Sequence, residues 1–146
     1  MSIAVDVSLD GVRVPVSRAR VGQVVRAVLG SEKVGDAMIS IAFVRRAAIQ
    51  RMNRRHLKRD RVTDVIAFGF RRTGRNAPIV GDVYIAPEVA RKSAQANGVS
   101  VREEIIRLVV HGTLHVLGHD HPETEARTRS PMWRKQERLV GRLARR

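Results

Sequence analysis

The chain of 146 residues carries 28 Lys and Arg against 14 Asp and Glu, a formal net charge of +14, and it has no cysteine. This length supports one domain over residues 1–146 with its own hydrophobic core, and the lack of cysteine excludes disulfide bonds and thiolate metal sites, as suits a reducing cytoplasm. Because residues 1–6 lack the features of a signal peptide and no apolar stretch approaches the roughly 20 residues that span a bilayer, we expect a soluble, cytoplasmic protein with no membrane partner.

The first half of the chain alternates between strand and helix patterns. Apolar residues at every second position predict strands, and apolar residues three and four apart predict helices. Ser17 is a favourable N-cap, and Gly30 marks the expected end of the helix that Ser17 begins. The predicted elements are a strand over Ile3–Leu9, an extended segment over 12–16, a helix from 18 to about 29, a strand over 38–44 and a helix over 47–56.

The densest basic run of the chain covers the helix over 47–56 and the loop that follows it. Of the 28 basic residues 24 are Arg, which binds phosphate through two hydrogen bonds, so RNA is the expected partner. Genome composition could explain Arg in place of Lys on a merely solvated surface, but not the excess of bases over acids. Because the run leads to Asp64, we expect it to border the active cleft. The candidate RNA-binding residues are Arg54, Arg55, Lys58, Arg59 and Arg61.

The second half of the chain completes an α+β pattern. The helix that Ser100 caps is apolar nearly all round, so we expect it to be the central buried helix. The sequence predicts one mixed sheet of about four strands with helices packed against it. The remaining elements are strands over 65–70 and 80–85, a helix from Pro87 to about 97, an acidic and basic connector after residue 122, and a final helix from Pro131 through Leu143 whose inner face carries Met132, Leu139 and Leu143.

Four of the five histidines lie at the end of the central helix. His111 and His115 are one turn apart on one face, which allows two imidazoles to share a metal ion. Gly118 lies where the helix should stop, since glycine adopts the left-handed conformation without steric cost, and the reversed chain can return His121 to the same ion. Three neutral imidazoles with an open fourth position are typical of catalytic zinc.

His119 is the alternative third ligand. It follows Gly118 directly and has less chain with which to turn back, so we interpret it as a flanking residue. The spacing also matches metzincin proteases, but Gly112 stands where a zincin protease carries the Glu that acts as general base. A peptidase of that class is therefore not expected.

The histidine motif and two earlier blocks resemble those of one protein family. His111-Gly-Thr-Leu-His115-Val-Leu-Gly-His-Asp120-His121 resembles the H-G-x-L-H-L-x-G-[YH]-D-H signature of the YbeY family of bacterial rRNA maturation factors. Residues 61–68 resemble its P-T-D-V-L-S-F block, and residues 81–85 resemble its G-D-I-x-I block. Length and element order also agree, so the resemblance covers nearly the whole chain.

The resemblance implies a zinc-dependent, single-strand-specific endoribonuclease. Such an enzyme would act in late 3′-end maturation of small-subunit ribosomal RNA and in ribosome quality control. The family motif makes His111, His115 and His121 the ligands of one Zn²⁺ per chain. The implied partners are ribosomal RNA and the small ribosomal subunit or its assembly factors.

The general acid or base is the missing part of this mechanism. Asp64 and Asp120 are the candidates, although Asp64 could instead cap a turn and Asp120 could orient a ligand imidazole. Whether water or the ribose 2′-hydroxyl attacks stays open. Two other functions also stay open: a metallohydrolase of another substrate, and a ribosome assembly factor that holds structural zinc and cleaves nothing.

Two departures from the family pattern affect the site. Many members carry Arg-Gly in the loop before the P-T-D block, and this chain has Leu57-Lys58 there. Any role of that arginine would have to pass to Lys58, Arg59 or Arg61. Ala67 stands where the family has serine, which excludes a catalytic serine at that position.

Overall fold

The structure, a computed structural model, describes residues 2–56, 64–70, 72, 74–122 and 125–145. Four strands and five α-helices occur in this part of the chain, with one short 3-10 helix (Glu125–Arg129) before the last α-helix. The strands are β1 (Ile3–Leu9), β2 (Ala37–Phe43), β3 (Val65–Phe70) and β4 (Ile79–Ile85), and the α-helices are α1 (Arg18–Ser31), α2 (Arg46–His56), α3 (Pro87–Asn97), α4 (Val101–Val116) and α5 (Pro131–Leu143).

The four strands form one mixed sheet in the order β1-β2-β4-β3, which confirms the predicted α+β architecture. β1, β2 and β4 run parallel, and β3 pairs antiparallel with β4. The alternation of side chains gives each strand one face toward the main core, where α1 and α4 pack. On the opposite face, α2 covers a smaller apolar cluster around Ile49 and Ile66.

The central helix is α4, as the sequence predicts. It packs against α1, α3 and α5 and against strands β3 and β4. Ser100 caps it, because the Ser100 hydroxyl accepts a hydrogen bond from the Glu103 backbone N–H at 3.0 Å. Leu114, which the sequence places in the core, is fully buried.

Glycines let α4 approach the sheet closely. A Cβ atom added to Gly112 would lie 2.4 Å from a methyl carbon of Val83 on β4. One turn later, Val116 lies over Gly69 and Gly81, which are paired across β3 and β4. A Cβ on Gly81 would lie 2.3 Å from Val116 Cγ1, so a larger residue at either contact would push the helix from the sheet.

One local expectation was wrong. Helix α1 passes through Gly30 to Ser31, and the turn to left-handed backbone occurs at Lys33, with φ 57°. The segment 12–16, which we expected to be extended, is not a strand of the sheet, and its residues Val12 and Val14 pack against the core. The connector after residue 122 contains the 3-10 helix, which the sequence did not predict.

Helices that could cross a membrane are absent from the part of the chain that the structure describes.

The close contact of Gly112 predicts opposite effects for one substitution at two helical glycines. Gly112→Ala should lower the free energy of unfolding by about 1–3 kcal/mol, because the new methyl group overlaps Val83. Gly22→Ala on α1 should raise it by about 0.5–1 kcal/mol, since a Cβ there meets nothing within 4 Å and alanine favours the helix. Urea denaturation measures both changes. A stabilising Gly112→Ala would show that the helix and sheet are not in close contact.

Candidate metal centre

The structure brings His111, His115 and His121 together. His111 and His115 lie on successive turns at the end of α4, which stops at Val116. Gly118 has φ 97° and reverses the chain, so that His121 returns toward the helix. One ligand atom from each of the three histidines lies within 4.8 Å of the other two. The ring centroids are 4.6 Å apart for His111 and His115, and 5.1 and 5.0 Å from these rings to that of His121.

The rings of His111 and His121 are each held by a contact at Nδ1. Nδ1 of His111 lies 2.6 Å from Oε1 of Gln136 on α5. Nδ1 of His121 lies 2.9 Å from the carbonyl oxygen of Pro122, which can only accept, so this nitrogen donates. Each of these two rings is thus bonded through Nδ1, which leaves Nε2 as the nitrogen that could face a metal ion.

The surroundings of His111 and His115 favour the neutral imidazole that metal binding needs. Burial is the main cause that lowers the pKa of His111 to about 4, and the neighbouring imidazoles lower it further against the hydrogen bond of Gln136. Burial, followed by the charge of His121, also lowers the pKa of His115. Three clustered imidazoles are a donor set that fits zinc, and nickel or copper can use the same set.

His119 points to a different partner. Its Nε2 contacts the carboxylate of Glu32 at the end of α1, and that carboxylate also accepts a hydrogen bond of 2.8 Å from Nζ of Lys135. Burial opposes ionisation of Glu32, but the bonds to Lys135 and His119 hold the pKa of its carboxyl below the ordinary value. Among the described residues the metal-binding group contains His111, His115 and His121, and His119 lies outside it.

Asp120 and Asp64 have different surroundings. The Asp120 carboxylate accepts a hydrogen bond of 2.8 Å from the backbone N–H of His121, so it holds the returning chain, while the Pro122 carbonyl orients the ring. Asp64 lines a cavity that also reaches His111. Burial raises the pKa of Asp64, and backbone hydrogen bonds and the charge of Arg127 only partly offset that rise.

The cavity beside His111 has a volume of about 430 Å³. Its polar lining is provided mainly by α4 and α5 and includes Glu104, Arg107, Gln136 and Glu137. Sequence reasoning missed these four residues. The one usable signal was Gln136, which lies on the apolar stripe of α5 at helical spacing from Met132 and is 1% exposed.

The predicted RNA-binding residues are only partly described. Arg54 and Arg55 are exposed near the C-terminal end of α2, the helix that precedes Asp64 in the chain. Lys58, Arg59 and Arg61 lie outside the described residues.

Comparison with known proteins gives the same family as the resemblance of the histidine motif. The sequence model of the family described as Endoribonuclease YbeY matches residues 10–144. A protein of Bacillus licheniformis named Endoribonuclease YbeY is 32% identical, over 97% of this chain and 96% of its own length. A protein of the same name from Pelotomaculum thermopropionicum is 38% identical over 90% of this chain and 91% of its own. The solution structure of a Thermotoga maritima protein shares the fold, with a TM-score of 0.61 and 22% identity over 95% of this chain and 88% of that one.

The lowered pKa of His111 predicts a loss of stability in mild acid for the metal-free protein. As the pH falls below 6.5, the ordinary pKa of histidine, the unfolded chain binds a proton at His111 before the folded chain does. This contribution to the free energy of unfolding is therefore present above pH 6.5 and is lost as the pH falls toward about 4. Urea denaturation of chelator-treated protein from pH 7 to 4 should show a shallower decline for His111→Gln than for the wild type. Equal declines would mean that His111 does not have the lowered pKa.

Proposed function

The chain belongs to the Endoribonuclease YbeY family, and from this membership we propose that it is a zinc-dependent endoribonuclease specific for single-stranded RNA. It acts in the cytoplasm in late 3′-end maturation of small-subunit ribosomal RNA and in ribosome quality control, with the small subunit or its assembly factors as partners. The observation that carries the proposal is the cluster of three histidines at the end of the central helix. The net charge of +14 supports a polyanionic substrate.

His111, His115 and His121 would hold one zinc ion per chain. When bound, zinc supplies Lewis-acid activation and neutralises charge that develops on the phosphate. Asp64 is the residue that we assign to proton transfer, because its cavity reaches His111 and burial raises its pKa above the ordinary value. Asp120, the other candidate, would keep His121 in place through the backbone.

The approach of RNA involves the basic residues before Asp64. Arg54 and Arg55 are exposed on α2, and we assign them, with Lys58, Arg59 and Arg61, to phosphate contacts. Such contacts position the strand without reading its sequence. Gly112 argues against a peptidase, because the close contact with Val83 leaves no room for the glutamate that a zincin uses at this position.

The ligand assignment predicts which histidines the metal requires. Single replacement of His111, His115 or His121 by Ala should abolish stoichiometric zinc, because two imidazoles remain. His119→Ala is the matched control and should retain zinc, since its ring contacts Glu32. Elemental analysis of the purified variants measures the metal. Full zinc in His121→Ala with none in His119→Ala would overturn the assignment.

The assignment of the basic residues predicts a separation of binding from cleavage. Arg54→Gln and Arg55→Gln should weaken binding of single-stranded RNA for all sequences alike, and each should reduce the log–log salt slope by about 0.7, because one phosphate is no longer neutralised. His115→Ala should abolish cleavage but keep the affinity and the slope. Arg26→Gln is the control, because Arg26 is an exposed arginine on α1, which packs against the other face of the sheet.

Fluorescence anisotropy across a salt series, beside cleavage of end-labelled RNA by metal-free and zinc-loaded protein, tests this prediction. An unaltered salt slope in both arginine variants would show that α2 presents only a solvated face. RNA binding without any zinc-dependent cleavage would support a non-nucleolytic assembly factor instead.

A further inference from the structure

We propose that Arg107, Glu137 and Gln136 form a positioning relay that keeps the proton of His111 on Nδ1 and so presents the Nε2 lone pair to the metal ion. The inference rests on the proposed function, because it takes His111 as a ligand. None of the three relay residues contacts the metal in this proposal. They act through His111.

The relay begins at Arg107 on α4, whose side chain is 16% exposed. Its guanidinium makes two bonds to one carboxylate on α5, from Nε to Oε2 of Glu137 at 2.8 Å and from Nη2 to Oε1 at 3.0 Å. Such paired bonds fix the plane of the carboxylate. Arg107 also bonds Glu104 at 2.9 Å and Glu103 at 3.0 Å, so it is anchored on its own helix as well.

The second step joins Glu137 to Gln136. Oε2 of Glu137 lies 3.1 Å from Nε2 of Gln136, the buried amide that faces His111. Burial opposes ionisation of Glu137, but the hydrogen bonds from Arg107 and Gln136 outweigh it and hold the pKa of the carboxyl below its ordinary value. The ionised carboxylate can only accept hydrogen bonds, so the Gln136 amide must present its NH₂ group to it.

The direction of the last bond follows from the first two. With the NH₂ group of Gln136 toward Glu137, the amide oxygen faces Nδ1 of His111 at 2.6 Å. An oxygen acceptor at this distance requires a proton on Nδ1. Without that proton, the lone pair of the nitrogen would face a lone pair of the amide oxygen, and the two would repel each other. The opposite amide orientation would place the Gln136 oxygen against the carboxylate. Each link therefore has one allowed polarity, and the polarity is set by Arg107, which can only donate.

If these residues had only a structural role, a different result would be expected. Glu103 distinguishes the structural role from the relay. Glu103 and Glu137 both pair with Arg107, and both side chains are 34% exposed. Only Glu137 also bonds Gln136. If the cluster served only to join α4 and α5, neutralising either carboxylate would leave the protonation of His111 unchanged. The relay predicts that Glu137 alone controls it.

The first measurement is imidazole ¹⁵N NMR of the metal-free protein, which reports the nitrogen that carries the proton. Wild type and Glu103→Gln should show His111 protonated on Nδ1. Glu137→Gln should lose this single state, because an introduced amide can either donate to or accept from Gln136. The double variant Gln136→Glu, Glu137→Gln should restore the single Nδ1-protonated state. The carboxylate at position 136 then accepts hydrogen bonds from His111 and from the amide at position 137. The oxygen of that amide accepts from Arg107.

The second measurement is zinc affinity by competition with a chelator. Glu137→Gln should bind zinc about 10- to 100-fold more weakly, the usual effect of removing the support of a ligand histidine. Glu103→Gln should bind it as the wild type does, although both variants lose one carboxylate partner of Arg107. Should Glu137→Gln fail to fold, Gln136→Met removes the acceptor of His111 directly, and it should show the same loss of affinity and of the single protonation state.

The proposal is overturned if Glu137→Gln, or Gln136→Met in its place, keeps both the Nδ1 proton of His111 and the wild-type zinc affinity. It is also overturned if Glu103→Gln loses the Nδ1 proton or the zinc affinity to the same extent as Glu137→Gln. A wild type that binds no zinc would refute the ligand assignment of the proposed function. In that case the NMR measurement still decides whether the relay controls the proton of His111.

Discussion

The close contact between α4 and the sheet is the constraint on which the site depends. Gly112 lies against Val83, and Val116 lies over the paired glycines Gly69 and Gly81. Because residues one turn apart share a face, fixing Gly112 and Val116 against the sheet fixes the rotation of the helix about its axis. His111 and His115 precede these two residues by one position each, which is about 100° around the helix axis, so the same contacts fix the direction in which both imidazoles project. The histidine cluster thus inherits its geometry from the close packing of the helix on the sheet.

Much of the fold could be predicted because its signals are local. The N-caps Ser17, Ser100 and Ser130 each begin a helix, and in all three the hydroxyl accepts from a backbone N–H three residues on. Gly30 was misleading because the packing of the buried Val28 and Leu29 outweighs the roughly 1 kcal/mol that a glycine costs inside a helix, and the chain turns only at Lys33. The positions of the three histidines could likewise be expected from spacing and one reversing glycine.

The rest of the site could not be predicted because it depends on contacts between helices distant in sequence. Gln136 reaches His111 across 25 positions, and Glu137 reaches Arg107 across 30. Helical periodicity shows which residues of α5 face inward, but it does not show which residue of α4 each one meets. The pattern of α4 was also misleading: its apolar residues concealed a polar stripe of Glu104, Arg107, His111 and His115, spaced by three and four positions along one face.

The polar stripe of α4 needs an explanation other than stability. A charged cluster that is largely withdrawn from water contributes little net stability, since desolvation offsets the attraction between its members, and apolar residues of similar size often serve as well. For Arg107 burial opposes the charge, and the hydrogen bonds that it donates to Glu137, Glu104 and Glu103 are what raise its pKa above the ordinary value. An apolar contact between α4 and α5 could hold the two helices together, but it has no donor or acceptor and cannot distinguish one nitrogen of an imidazole from the other. Because the chain of bonds from Arg107 has one allowed polarity, it can make that distinction at His111, where the other tautomer would leave no Nε2 lone pair for the metal ion that these histidines could hold.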